Sequence, residues 1–504
     1  MCGLCHNVSC SGVEHHQDPT IIASAAVSVS GGTTSQEQII DHLNRGNFSW
    51  NAASPITFGF ANAVPTYAVG EAEYVGFESF NDQQMDMARL ALSTWQDVAK
   101  ITFWESSSQS AKISFANSST LADYSAAHAF FPAYAAWGGD VWVNSDLSYN
   151  TAPEVGGYGF KVLVHEIGHA IGQPHPGDYN ADGGALSYKN NAAYVEDSKQ
   201  FTIMSYWDEA NTGADFGDYS AQTPMLHDIL AIQAKYGVNW TTRSDDTTYG
   251  FNSNTDSPIF DFSLNEHPVL SIWDGGGTDT IDLSGFADNA VLDLNAGGFS
   301  SAAGLVNNIS IAFGAAIENA TTGAGDDIVI GNEWDNLIDT GSGDDAFWIN
   351  VNALDANSCR FIDGRLVVHS ADGTDQIANV ESLRFLDTTV EAHTMTQHSI
   401  LEYAATYDDL AAAFGTNEEM LFDHFIKHGL DEGRKIEFSA LDYIASNRDL
   451  IETFGADIEA GARHYIEFGV AEHRSISFDH EAFFDANPDL VGTNLNAAQL
   501  YIEL

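Results

Sequence analysis

The chain has 504 residues, of which 44% are hydrophobic and 12% aromatic. This is a globular composition, and the length predicts about three domains. Seventy-one aspartate and glutamate residues stand against 18 lysine and arginine residues, which gives a formal net charge of −53. Such a field repels phosphate backbones and anionic lipids, so we expect neither nucleic-acid nor membrane partners. No apolar run is long enough to span a bilayer. The first lysine or arginine is Arg45, so a Sec signal peptide is not expected.

Periodic patterns predict the following elements in chain order. Asn81 and Gln84 indicate a helix start, and apolar residues continue at helical spacing to Val98. Strand candidates follow at 101–104, 112–115 and 140–144. Two further helices are expected over 160–171 and 223–236. This mixed order predicts an α/β or α+β domain that ends near residue 250.

One segment, Val164-His-Glu-Ile-Gly-His-Ala-Ile-Gly-Gln-Pro-His175, carries most of the chemical information. On a helix, His165 and His169 lie one turn apart on one face, as two imidazoles that bind one zinc ion require. Glu166 projects about 100° away, so it can act as a general base on water without binding the metal. After a helix end at a glycine, the chain can turn back and bring His175 to the ion. Three protein nitrogens leave one position open, which is typical of a catalytic zinc site. The alternative is that the histidines only cap or fill a helix.

The HExxHxxGxxH pattern is that of the metzincins, and its flanks resemble the serralysin branch of these metalloproteases. The matching flanks are Trp50-Asn51, residues 95–103, Gly138-Gly-Asp-Val-Trp142, His175-Pro-Gly-Asp-Tyr-Asn180 and Ile203-Met-Ser-Tyr-Trp207. The resemblance covers roughly residues 45–390. It implies that Met204 forms an apolar floor beneath the zinc, and that Tyr206 is a fifth zinc ligand that swings away to stabilise the oxyanion. It also implies that the strand around residues 139–143 lines an edge that pairs with extended substrate.

The reaction that this resemblance implies is hydrolysis of peptide bonds in proteins. Zinc would lower the pKa of a water and polarise the scissile carbonyl, while Glu166 takes the proton and delivers it to the leaving amine. Export through a type I system is implied as well, because the family uses this route. We expect a secreted, monomeric zinc endopeptidase with protein or peptide substrates.

From about residue 258 to 392, glycine-aspartate signals dominate. The nonapeptide pattern G-G-x-G-x-D-x-U-x is typical of a parallel β-roll that binds calcium. It fits residues 274–281, 322–329 and 340–347, whereas 331–339 is degenerate, with Trp334 for glycine and Asn336 for aspartate. We expect about two to four calcium ions. The predicted calcium ligands are Gly277, Asp279, Gly325, Asp327, Gly343 and Asp345. Glycine-aspartate turns in an ordinary β domain are the alternative.

Beyond residue 400 a 40-residue repeat appears, with two full copies and a truncated third. It is marked by Tyr403/Tyr443/Phe483, Asp409/Asp449/Asp489, Leu410/Leu450/Leu490, Gly429/Gly469 and Arg434/Arg474.

The predicted architecture of the whole chain is therefore multidomain. It comprises a leader or prosegment (1–45), an α/β catalytic domain with the zincin-like metzincin fold (46–250), an all-β RTX β-roll (251–395) and small helical repeats (396–504).

Three of the four cysteines, Cys2, Cys5 and Cys10, lie in the expected prosegment, and Cys359 stands alone. This is not a disulfide framework. Four interpretations stay open: haem attachment through the CxxCH pattern, a cysteine switch whose thiolate fills the open zinc position, solvent-exposed thiols, or an adventitious metal clip.

A different class of function is also considered, namely a calcium-dependent surface or adhesion protein built on a degenerate protease scaffold. The intact Glu166 argues against it, since a scaffold has no use for that carboxylate.

Overall fold

The computed structural model describes residues 34–68, 72–121, 125–179, 186–352, 356, 358–362, 365–371, 373–391, 400–429, 432–490 and 496–504. The chain divides into two compact units, Met1–Ile330 and Gly331–Leu504. Within the described residues, no helix has the length and apolar character needed to cross a membrane.

The first half of the first unit mixes helices and strands. In chain order these are α1 (Gln36–Leu43), β1 (Ile56–Phe60), α2 (Ala72–Val75), β2 (Phe77–Glu78), α3 (Asp82–Val98), β3 (Phe103–Glu105), β4 (Ile113–Ser118), β5 (Ala127–Ala129), β6 (Val141–Asn144), α4 (Ser148–Thr151), α5 (Tyr158–Ala170), α6 (Tyr188–Asn191) and α7 (Leu226–Tyr236). Short 3-10 turns occur at Thr66–Ala68 and Glu209–Thr212.

The six strands β1–β6 form one sheet with the order β3-β1-β4-β6-β5, and β2 pairs with β4. Along this order every pair is parallel except β5 with β6, which is antiparallel. The strand at residues 139–143 was expected at an edge, and this expectation is wrong. β6 pairs on both sides, with β4 and with β5, so β5 occupies the end of the sheet. The order of strands depends on pairing between distant segments, which the local sequence pattern does not contain.

Helix α3 begins as its sequence predicts. The Asn81 side chain accepts a hydrogen bond from the Gln84 amide, and the Gln84 side chain accepts one from the Asn81 amide, which forms a capping box. Helix α5 packs on α3, and the buried Trp95 indole donates to the Val164 carbonyl at 3.0 Å. Gly159 to Ala170 are all buried, so α5 lies in the core of its unit, with no solvent-facing side.

The C-terminal end of α5 is held by side chains from distant segments. The Trp50 indole donates to the Ala170 carbonyl at 2.8 Å, the Tyr236 hydroxyl to the Ile171 carbonyl at 2.7 Å, and the Lys235 ammonium to the Gly172 carbonyl. These bonds satisfy carbonyls that a helix end leaves without partners. A cation at this end also complements the helix dipole. Gly172 has φ +103°, so the chain turns sharply here, as its sequence predicts.

We expect Gly172→Ala to lower the free energy of unfolding by more than Gly213→Ala does. Gly213 has φ +95° and a Cβ atom there would meet nothing within 4 Å, so this control measures backbone strain alone, roughly 1–3 kcal/mol. At Gly172 a Cβ atom would lie 2.2 Å from the Phe48 carbonyl oxygen, so the backbone must also shift. Denaturant unfolding of both variants measures the difference, and equal losses would contradict the expectation.

Part of the segment interpreted as a prosegment belongs to this folded unit. Helix α1 packs on α7, and the Thr34 hydroxyl donates to Glu196 at 2.6 Å. Arg45 donates to the Pro176 carbonyl at 3.0 Å and to the Gly177 carbonyl. The boundary at residue 45 stays a prediction.

The rest of the first unit is built from short strands. They are β7 (Thr248–Gly250), β8 (Leu270–Ile272), β9 (Thr280–Asp282), β10 (Val291–Asp293), β11 (Phe299–Ser300), β12 (Ile309–Ile311), β13 (Asn319–Thr321) and β14 (Ile328–Ile330). The pairs β7–β9, β9–β13, β8–β12 and β10–β14 are parallel, and β11–β12 is antiparallel. Between residues 258 and 330, all of which the structure describes, the chain forms no helix.

The second unit continues with short strands and ends in helices. The strands are β15 (Leu337–Asp339), β16 (Ala346–Trp348), β17 (Ser358–Ile362), β18 (Arg365–His369), β19 (Thr374–Ala378), β20 (Ser382–Arg384) and β21 (Thr389–Glu391). The helices are α8 (Ile400–Thr406), α9 (Asp408–Phe414), α10 (Glu418–His424), α11 (Ala440–Ala445), α12 (Arg448–Phe454), α13 (Ile458–His464), α14 (His480–Ala486) and α15 (Ala497–Glu503), with π-helical turns at Phe425–Gly429 and Tyr465–Gly469 and a 3-10 turn at Pro488–Leu490.

The 40-residue repeat is also a structural repeat. The Tyr403 hydroxyl bonds to His424 Nδ1 at 3.1 Å, and 40 residues later Tyr443 bonds to His464 at 2.9 Å. Ion pairs recur at the same spacing, Arg434 with Asp409 at 3.1 Å and Arg474 with Asp449 at 2.7 Å. Equivalent residues therefore make equivalent contacts in the two full copies.

Candidate metal centre

Three histidines converge inside the first unit. His165, His169 and His175 are 0, 2 and 5% exposed, and each offers one ring nitrogen within 4.8 Å of the other two. His169 Nε2 and His175 Nε2 are 3.1 Å apart. The first two side chains come from one turn of α5, and the third from the loop after Gly172. The convergence predicted from their spacing is present.

Backbone carbonyls fix the orientation of all three imidazoles. The Nδ1 atoms of His165, His169 and His175 lie 2.7, 2.7 and 3.1 Å from the carbonyl oxygens of Ile203, Gln173 and Tyr179, respectively. A carbonyl can only accept, so each Nδ1 carries the proton and each Nε2 presents its lone pair. Metal-binding histidines are held in this way by their second nitrogen.

Burial keeps these imidazoles neutral. Desolvation lowers the pKa of His169 to about 4 and holds the pKa values of His165 and His175 well below their usual range. His165 Nε2 is also buried and has no hydrogen-bond partner among the residues that the structure describes, which is costly unless another group meets it. Three neutral nitrogens directed at one point fit zinc, which takes imidazole ligands in a tetrahedral arrangement.

Glu166 lies next to the first histidine on α5 and is fully buried. Neither of its carboxylate oxygens has a hydrogen-bond partner among the described residues. Burial raises the pKa of this carboxyl well above its usual range. A buried carboxylate that no protein donor satisfies, at the edge of a histidine cluster, has the character of a proton acceptor in catalysis.

Met204 is fully buried under α5. A Cβ atom on Gly168 would lie 2.8 Å from its sulfur, so the thioether packs against the helix turn between His165 and His169. The Tyr206 ring lies 4.5 Å from the His175 ring, centroid to centroid. Both side chains therefore lie beside the histidines, as expected from the sequence. The role of Tyr206 as a switchable ligand stays a prediction.

A buried carboxylate organises the turn that carries Met204. Asp228 of α7 accepts hydrogen bonds from the Thr202 hydroxyl at 2.5 Å and from the Ile203 amide at 2.7 Å. It also accepts one from the Met225 amide at 2.9 Å. Since the Ile203 carbonyl is the acceptor for His165, Asp228 fixes the residue that orients the first histidine. No local pattern in the sequence marks this residue.

A cavity of about 420 Å³ opens beside His169 and His175. Phe48 and Phe131 form part of its wall, with their rings stacked 4.5 Å apart. Ala129, the last residue of β5, also lines it. The end strand of the sheet therefore leads directly to the metal centre, and an extended chain can lie along it.

Comparison with known proteins places this site in a family. Residues 60–192 match the family model described as matrixin, and residues 238–500 match the model described as peptidase M10 serralysin C terminal. The second match alone covers more than half of the chain. The chain belongs to the serralysin family. It is multidomain, with a matrixin-type catalytic domain and a serralysin C-terminal domain.

Curated relatives agree with this assignment. Serralysin B of Dickeya chrysanthemi is 43% identical over 310 residues, 59% of this chain and 64% of that protein. Metallopeptidase AprA of Pseudomonas marginalis is 43% identical over 301 residues, 58% and 63% of the two chains. Serralysin of Proteus mirabilis is 40% identical over 319 residues, 59% and 64%. In each case the match spans slightly less than two thirds of the relative.

The predicted calcium aspartates form a second group of candidate ligands. Asp279, Asp327 and Asp345 are all buried. The backbone amides of Asp279 and Asp345 donate to the carboxylates of Glu318 and Glu381, at 2.7 and 2.8 Å. Both glutamates come from more than 30 residues further along the chain, so the glycine-rich repeats gave no sign of them.

The remaining predicted residues are less informative. Gly277 has φ +142°, and a Cβ atom there would lie 2.8 Å from Asp279 Oδ1, whereas one on Gly325 would lie 2.6 Å from the Asn289 backbone. Gly343 lies in the turn before β16. Cys2, Cys5 and Cys10 lie outside the described residues, so all four interpretations of these cysteines stay open.

Proposed function

We propose that this chain is a secreted zinc endopeptidase that hydrolyses internal peptide bonds of proteins. The observation that carries the proposal is the set of three inward-facing Nε2 atoms next to the unsatisfied carboxylate of Glu166. The proposed zinc ligands are His165, His169 and His175. Family membership supports the proposal: residues 60–192, which contain the three histidines, match the matrixin model, and similar relatives are named serralysin and metallopeptidase.

The chemistry that a zinc ion supplies in such a site is Lewis acidity, toward a carbonyl oxygen and toward water. The residues of this chain supply the rest. Glu166, with its raised pKa, takes the proton from the attacking water and later gives it to the leaving nitrogen. Tyr206, whose ring lies next to the His175 ring, donates its hydroxyl proton to the oxygen on which negative charge develops. The end strand β5 holds the substrate backbone in an extended conformation.

Metal content and cleavage of a casein gel test this function together. We expect about one zinc per chain, clearing of casein around the protein band, and loss of clearing with 1,10-phenanthroline, a chelator that prefers zinc to calcium. Readdition of zinc should restore activity. Zinc-free protein with no clearing would favour the calcium-dependent surface protein instead.

We further propose that the glycine- and aspartate-rich region is an RTX β-roll that binds several calcium ions. Gly277, Asp279, Gly325, Asp327, Gly343 and Asp345 are the proposed ligands. Support comes from charge crowding: burial and the neighbouring carboxylates of Asp274 and Glu318 raise the pKa of Asp279 to about 7. A divalent cation relieves this crowding. Folding only where calcium is abundant suits export of an unfolded chain through a type I system.

Without calcium, acid is expected to stabilise this region. The pKa of Asp279 is about 7 in the folded state and about 3.9 in an unfolded chain. Between these values the folded state binds more protons than the unfolded state, so stability falls as pH rises from about 4 to 7. Thermal unfolding in a calcium chelator across this range measures the slope. Asp279→Asn should flatten it, and an unchanged slope would contradict the expectation.

A further inference from the structure

A second buried carboxylate, Asp197, contacts the segments next to His175 and Tyr206 and takes no part in the proposed reaction. It is 0% exposed. Its Oδ1 accepts hydrogen bonds from the Tyr179 hydroxyl at 2.9 Å and the Ser205 hydroxyl at 2.7 Å. Its Oδ2 accepts from the Ala193 amide at 2.8 Å and the Trp207 indole at 3.2 Å. Donors of this kind offset the cost of burying a carboxylate, and here they come from three separate segments of the chain.

The first of these donors belongs to the loop of the third histidine. The Tyr179 carbonyl accepts the His175 Nδ1 proton at 3.1 Å. The Tyr179 ring stacks on the His175 ring, with centroids 5.6 Å apart and planes within 12°. When Asp197 holds the Tyr179 hydroxyl, it therefore holds both the acceptor and the aromatic plane that orient His175.

Two other donors flank Tyr206. Ser205 and Trp207 both reach Asp197 with their side chains, and the Trp207 amide donates to the Ser205 hydroxyl at 3.1 Å. The Tyr206 backbone is thus fixed from both sides. Its ring lies 5.2 Å from the Tyr179 ring and 4.5 Å from the His175 ring. One carboxylate links the chain segments that place these two side chains.

We propose that Asp197 is a positioning residue that sets the placement of His175 and Tyr206 relative to each other. Tyr179 transmits its effect to His175, and Ser205 with Trp207 transmits it to Tyr206. The inference rests on the proposed zinc peptidase function. The proposed role predicts two separate effects: the bond to Tyr179 affects zinc retention, and the bond to Ser205 affects turnover. A carboxylate that only stabilised the fold would not separate these two effects.

Three single-residue variants of the full chain test the inference. In Asp197→Asn the side chain loses its charge, which weakens all of the remaining hydrogen bonds, and its NH₂ group faces one pair of the four donors, so both loops lose support. We expect zinc to be released to a chelator about 10–100-fold faster, and kcat to fall as well. Tyr179→Phe removes only the bond toward His175, so zinc release should accelerate. Ser205→Ala should lower kcat with little change in KM or in zinc release.

The control is Tyr188→Phe, which removes the same group from a nearby tyrosine that donates to the Val195 carbonyl. It should match the unaltered protein in every measurement. The visible spectrum of the cobalt(II)-substituted proteins reports ligand geometry without relying on activity, and circular dichroism reports folding. We expect the cobalt spectrum to change in Asp197→Asn and Tyr179→Phe.

The outcomes distinguish this inference from the proposed function. Folded Asp197→Asn and Tyr179→Phe proteins with unaltered zinc release and cobalt spectra would overturn the positioning role while leaving the peptidase intact. An unaltered protein that neither binds zinc nor cleaves casein would overturn both. Should Asp197→Asn fail to fold, the two single-bond variants still decide the question, because each leaves three donors on the carboxylate.

Discussion

Glu166→Gln is expected to retain zinc and to lose about 10²–10⁴-fold in kcat/KM. Glutamine has nearly the same shape as glutamate but cannot accept a proton at neutral pH, so the change removes proton transfer alone. In the folded protein the carboxyl is fully buried and burial raises its pKa. This makes it a better proton acceptor than an exposed carboxylate. Peptide cleavage and metal analysis of the same preparation measure the two expected results.

Glu209→Gln is the matched control. Burial also raises the pKa of the Glu209 carboxyl, but this residue lies on the 3-10 turn Glu209–Thr212, which contributes no side chain to the histidine cluster. It should keep nearly full activity. If Glu166→Gln cleaved peptide at a tenth of the normal rate or faster with zinc in place, Glu166 would not be the general base.

Withdrawal of calcium is expected to unfold the glycine- and aspartate-rich region. In its folded form this region buries the carboxylates of Asp274, Asp279, Asp327 and Asp345, and its strands are mostly three residues long. Short strands contribute few hydrogen bonds, so they cannot offset the repulsion between unneutralised carboxylates. In EGTA we expect loss of β-type circular dichroism and rapid proteolysis of this region. Calcium should reverse both changes and magnesium should not, since magnesium resists losing its water ligands.

A pair of aspartate variants tests whether the proposed ligands bind calcium. Asp279→Asn should move the midpoint of calcium-induced folding to higher calcium, by about tenfold for one lost ligand charge. Asp261→Asn changes an aspartate that caps a turn by accepting from the Ser263 amide and lies outside the repeats, and it should leave the midpoint in place. The β-roll proposal fails if EGTA leaves the spectrum and the unfolding temperature unchanged.

Sequence alone determined the local part of the metal centre. His165, Glu166 and His169 lie within one helical turn, so their relative directions follow from helix geometry. The helix end at Gly172 follows from the freedom of glycine at positive φ, and it brings His175 within reach. The 40-residue repeat was also visible, because equivalent contacts require equivalent residues at a fixed spacing.

Only the tertiary structure decided which distant residues support that centre. Asp197 and Asp228 reach the turn that carries Met204 from different segments, and Phe48 stacks on Phe131 in the wall of the cavity beside the histidines. Which strand ends the sheet, β5 or β6, depends on pairing between strands. The positions of Glu318 and Glu381 beside Asp279 and Asp345, two of the proposed calcium ligands, likewise depend on contacts between distant segments. Such contacts join residues far apart in the chain. Local periodicity has no information about them, because burial and hydrogen-bond partners arise only when the whole unit packs.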